Sequence, residues 1–167
     1  MDIALLVLRL VVGLLMAGHG AQKLFGWFRG HGITGTAGWL GSIGFRPPRL
    51  WAWVAGLSEF GGGVLFALGL CTPLGSVGIA SAMLTAIVRA HWPKIWATEH
   101  GFELPLTYLV VAVAVGVTGP GAYSLDTALR TALPPSLAAL SVIVALAGWL
   151  VGLTLSAQRP AQPQHGA

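Results

Sequence analysis

The chain has 167 residues, 55% hydrophobic and only 8% charged, with a mean hydropathy of +0.78. Nine Lys and Arg with five Asp and Glu cannot cover a globule of this size, because a soluble domain carries about a quarter charged residues. That excludes an ordinary soluble protein and a disordered chain. The net charge of +4 is scattered, without the dense basic run that tracks phosphates, which excludes a nucleic-acid binder. Cys71 is the single cysteine, so the chain has no internal disulfide and no thiolate cluster. With 24 Gly and 7 Trp, the composition suits close-packed membrane helices with aromatic residues at the interfaces.

A crossing helix needs about 20 mostly apolar residues. The first expected span runs from Ile3 to Leu24. A signal peptide would need a basic flank, yet Asp2 precedes the run and Arg9 interrupts it. Gly32, Gly35, Gly38, Gly41 and Gly44 follow at three-residue spacing. Thr34 to Ile43 reads either as a short interfacial helix, capped by Thr34 and ended by Gly44, or as an irregular glycine loop. Further spans are expected at Trp51–Leu70, Leu74–Ala90, Glu103–Thr118 and Leu137–Leu155. The expected fold is an all-α polytopic transmembrane helical bundle. Its core occupies residues 1–133, an additional transmembrane helix 134–156, and a disordered tail 157–167.

Let side A be the face at which the first helix begins, and side B the opposite face. Seven Lys and Arg fall on side B against two on side A, which predicts a cytoplasmic side B. Ionisable groups inside a span are expensive, and each is a candidate functional residue. Arg9 lies about 9 Å deep from side A, and Glu59 about 12 Å deep from side B. An Arg9–Glu59 ion pair is expected between neighbouring antiparallel spans, with Gly61 and Gly62 admitting a second backbone closely. A structural pair and a proton-carrying one both fit. His19, with Lys23 close by, His91 and Glu103 all fall near side B, where they form a candidate polar pocket. Two histidines and a carboxylate are compatible with a metal, but the spacing is not diagnostic, and no metal is assigned. Ser124 or Asp126 is expected to cap a short helix reaching Leu133. Gly148 and Gly152 form a GxxxG pattern, a candidate surface for a homo-oligomer.

Taken in order, several short patterns resemble the DoxX family of small bacterial membrane proteins. They are Arg9 and Gly13, then His19-Gly20-Ala21-Gln22-Lys23-Leu24-Phe25-Gly26, then Glu59-Phe60-Gly61-Gly62 with Gly69, Thr72 and His91. Gly101-Phe102-Glu103 and Gly119-Pro120-Gly121-Ala122-Tyr123-Ser124-Leu125-Asp126 complete the series. The resemblance implies a four-helix membrane core, a fifth helix beyond it, and a multi-pass protein of the bacterial inner membrane. It also implies a link to respiratory or thiol redox and to protection against oxidants, since the family takes its name from a subunit associated with thiosulfate:quinone oxidoreductase. The fold is similar to membrane thiol oxidoreductases of the vitamin K epoxide reductase kind, from which this chain departs. Its lone Cys71 cannot form the dithiol that disulfide exchange requires. Those relatives place the first loop outside the cytoplasm, against the charge count.

The expected function is therefore a membrane subunit of a redox system that binds a quinone-like or other small apolar ligand. Arg9, His19 and Glu59 are the candidate catalytic residues, with His19 the best proton carrier; His91, Glu103 and Lys23 are candidate ligand contacts. Asp126, Gly61 and Gly62 are assigned structural roles. Beyond membrane lipid, the expected partner is an electron donor. The alternatives are a non-enzymatic scaffold that docks a soluble redox or detoxification enzyme, and a small-molecule or lipid transporter.

Overall fold

The computed structural model describes residues 1–131 and 133–157, so most of the expected tail lies outside the described residues. Helices and turns account for all regular structure among them, with no strand. Three helices are long and apolar enough to cross a membrane: α1 (Asp2–Phe25), α3 (Pro48–Leu68), and α4 (Thr72–Ala86) prolonged by a π-helical turn to His91. Between the first two lies α2 (Gly32–Ser42). After α4 come α5 (Glu103–Thr118), the short α6 (Leu125–Leu129) and α7 (Pro135–Ala157). At 16 residues, α5 is about 24 Å long, shorter than the hydrocarbon core.

Local chemistry sets these ends. α1 stops where Gly26 takes a left-handed conformation at φ 72, which glycine adopts without strain. α3 opens on Pro48, whose missing N–H costs nothing in a first turn. α2 begins two residues before the expected Thr34, and His31 at its N-cap makes no side-chain capping bond. The Ser124 hydroxyl does cap α6, accepting from the Thr127 amide at 3.2 Å. That helix ends at Leu129, short of Leu133, because Arg130 turns left-handed.

The central contact is antiparallel packing of α1 on α3, made through residues without bulk. Gly13 sits against Gly63 and Ala67, Gly20 against Phe60, and Gly56 against Leu24. A Cβ on Gly13 would lie 2.6 Å from the Gly63 carbonyl oxygen and the Ala67 nitrogen. Gly62 faces Gly75 and Gly78 of α4 across a wider gap, a Cβ there lying 3.3 Å from the Gly75 carbonyl oxygen, whereas Gly61 faces open space. Around these backbones pack Val12, Met16, Phe66, Ile79, Met83, Ala112 and Val115, from α1, α3, α4 and α5. A smaller cluster of Leu40, Phe45 and Ala52 holds α2 on α3. Of the two glycines of the GxxxG pattern, Gly152 packs against the Trp51 ring of the same chain, whereas Gly148 faces open space.

Gly13→Val is expected to destroy the folded, monodisperse species in detergent, because backbone atoms cannot yield as a side chain would. Gly61→Ala is expected to leave the midpoint of thermal unfolding within a few degrees. Equal midpoints for the two variants would overturn this account of the α1–α3 contact.

Candidate functional site

Glu59 stands on the buried face of α3, with its side chain 4% exposed, and its ion partner is Lys23 of α1. Arg9 is too far away. The glycine contacts place Gly20 beside Phe60, so Glu59 is level with Ala21, twelve residues along α1 from Arg9. That is about 18 Å of helix, beyond an arginine's reach. The expected Arg9–Glu59 pair thus does not form. Depth was judged from each end of the bilayer, whereas backbone contact sets the register.

Arg9 belongs to a separate system at side A. It is fully buried, donates from Nη2 to the Tyr123 carbonyl, and packs its guanidinium over Gly69, where any side chain would collide with it. The Asp126 charge acts on it electrostatically. Asp126 itself does not cap its own helix. Its carboxylate accepts from the Cys71 amide at 2.8 Å, the Thr72 amide at 2.9 Å and the Thr72 hydroxyl at 2.8 Å, so it caps the start of α4. Its amide returns a bond to the Gly69 carbonyl at 2.8 Å. Arg9 and Asp126 therefore tie α1, the α3–α4 turn and the 119–130 segment together.

The side-B histidines are also dispersed. His19 faces α5, its ring centroid 6.5 Å from that of Tyr108, with Nδ1 3.3 Å from Gln22 Oε1. His91 Nδ1 donates to the His100 carbonyl at 2.6 Å, and Glu103 Oε2 accepts from the Ala97 amide at 2.9 Å. Both of these contacts stitch the 92–102 loop, where Trp92 also stacks on Phe102. Among the described residues, no three His, Cys, Asp or Glu side chains are grouped to hold a metal.

The ion pair instead borders a cleft of about 500 Å³ lined by α1, α2, α3, α4 and α7, a volume typical of small-molecule sites. Its wall is mainly apolar, with Lys23, Glu59, Arg89 and Trp149 as the large polar side chains. The Arg89 guanidinium lies 5.6 Å from the centroid of the Phe45 ring. Glu59 uses one carboxylate oxygen on Lys23; the other, Oε2, is buried without a hydrogen-bond partner. A smaller recess of about 330 Å³, lined by Gln22, Arg29, His31 and Thr36 among others, shares Lys23 and Trp39 with the main cavity. Lys23 therefore stands between a polar opening and an apolar interior. Sequence reasoning left Lys23 as a ligand contact and missed the α4 and α7 walls. The available signal was the run of small residues Gly78, Ser81, Ala82, Thr85 and Ala86 at helical spacing along one face of α4.

Removing one member of a buried pair strands the other charge. Because Lys23 is itself 30% exposed, Lys23→Met is expected to lower stability by about 1–3 kcal/mol, less than for a fully buried pair. Adding Glu59→Met should restore most of that loss, as read from denaturant or thermal unfolding. Additive losses would show that the two side chains are not coupled.

The DoxX family profile matches residues 4–92, more than half the chain. The protein is 30% identical over 125 residues to "Putative oxidoreductase CatD" of Bacillus subtilis, covering 75% of this chain and 86% of that relative. It is 29% identical over 130 residues to "Inner membrane protein YphA" of Escherichia coli, covering 74% and 89% respectively. No solved structure matches. Three long apolar helices, a family match across them and relatives aligned over most of their length lead to one assignment: this chain belongs to the DoxX family and is a multi-pass inner membrane protein.

Proposed function

We propose that the protein is the membrane subunit of a redox system, and that its cavity binds a quinone-like ring whose electrons come from a partner protein. In this reading α1, α3, α4 and α5 form a four-helix transmembrane core and α7 is a fifth span. The observation that carries the reading is Glu59 Oε2, a buried, unpartnered acceptor in the wall of an apolar cavity. An acceptor left dry costs about 1–3 kcal/mol, more when charged, and a ligand hydroxyl offsets that cost. The name of the Bacillus relative supports the redox assignment.

Reducing a quinone to a quinol adds two electrons and two protons, one proton to each ring oxygen. Glu59 is the group placed to exchange a proton with a ring oxygen, and Lys23 holds it in position. Lys23 also borders the polar recess, which gives the pair a route to water at side B. His19 does not line the cavity, so the proton role passes from it to Glu59. Arg9 and Asp126, at the other end of the bundle, hold the frame.

The test is anaerobic calorimetry on the full chain in lipid nanodiscs, titrated with 1,4-naphthoquinone and with its quinol. Both are expected to bind saturably. Glu59→Gln should weaken quinol binding at least tenfold, the scale of a hydrogen bond to a charged group, while His19→Ala stays within twofold. Absence of saturable binding by either form would remove the reading.

A further inference from the structure

The helix beyond the family-matched segment is part of the cavity wall. α7 lies outside residues 4–92, yet Ala145, Gly148, Trp149 and Gly152 face the same space as Glu59. Their spacing marks one helical face, and Gly152 seats that face against Trp51. Gly152 thus packs α7 onto its own bundle, and Trp149 on the same face lines the cavity.

Trp149 Nε1 is buried and donates to nothing. An indole N–H is a donor only, and burying it unpaired is unfavourable. A phenylalanine would fill the wall without that cost. Two hydroxyls of the cavity wall are satisfied inside their own helices: Ser58 donates to the Ala55 carbonyl at 3.0 Å, and Thr85 to the Ser81 carbonyl at 2.9 Å. Two residues that line the cavity thus each carry one buried, unpartnered polar atom, a donor on α7 and an acceptor on α3.

Resting on the reading above, we infer that Trp149 is a specificity-determining residue, its indole N–H donating to a carbonyl oxygen of the ligand. The ligand class is then an apolar ring compound with a carbonyl group, not a plain hydrocarbon or an acyl chain. The two anchors differ towards the redox forms. An ionised Glu59 accepts only from a hydroxyl and so favours the quinol, whereas the Trp149 N–H donates to a carbonyl or a hydroxyl oxygen and so holds either form.

The experiment is anaerobic calorimetry of the full chain in nanodiscs, with 1,4-naphthoquinone, its quinol, and naphthalene as the carbonyl-free probe. Trp149→Phe is expected to weaken naphthoquinone about five- to tenfold and leave naphthalene unchanged. Trp149→Tyr, which keeps a donor, is expected to recover part of the loss. Naphthoquinone should also shift an indole N–H vibrational marker of the wild-type protein that is missing from Trp149→Phe, which assigns it among the seven tryptophans. An unchanged naphthoquinone affinity, an equal loss for naphthalene, or an unshifted marker would each overturn the inference. If that happens while Glu59→Gln still weakens quinol binding, the reading of the cavity survives. If the wild-type protein binds neither redox form, both fail.

Discussion

Backbone-to-backbone contact between α1 and α3 is the constraint on which the rest depends. Gly13, Gly20, Gly56 and Gly63 leave no side chains to slide past one another, so the two helices meet in a single register. In lipid, where burying apolar surface gives helices little reason to associate, such close packing is a main source of affinity. A register fixed in this way also decides which charges can meet. It places Lys23 beside Glu59 and leaves Arg9 for the opposite end of the bundle.

The separation yields two polar systems with different characters. At side A, the Asp126 carboxylate accepts three hydrogen bonds, and the buried Arg9 reaches the Tyr123 carbonyl. These groups join segments far apart in sequence and line neither of the described cavities. Near side B, Glu59 spends one oxygen on a half-exposed lysine and keeps the other free beside an apolar space. Incomplete satisfaction does not separate the two systems, since Arg9 Nε and Nη1 are also buried without a hydrogen-bond partner. What distinguishes Glu59 is that its unpartnered oxygen belongs to a residue lining a described cavity, whereas Arg9 lines none.

The cavity exists because small residues recur along α4 where α3 and α7 approach it. Gly78, Ser81, Ala82 and Thr85 leave volume that larger side chains would fill, and α2 with Trp39 and Leu40 closes the side-B end. The π-helical turn at Ile87–His91 carries Arg89 at that end of the wall, consistent with the association of such turns with functional positions. α7 closes the remaining side.

Hydrophobic run lengths, proline and glycine breaks and sparse charge determined the helical membrane fold and most helix boundaries, since these depend on local composition and on the lipid solvent. Glu59 also stood out unaided, because a short carboxylate deep in a span needs a reason in any arrangement. The partners of the charges were not legible. Pairing Arg9 with Glu59 required a helix register, and register comes from which glycines touch across an interface, a long-range property absent from local spacing. The same holds for Asp126, which caps a helix more than fifty residues earlier in the chain, and for Trp149, whose glycine neighbours look alike whether they face another copy or their own bundle. Tertiary packing alone brought Lys23, Glu59 and α7 around one space, because that space lies between helices distant in sequence.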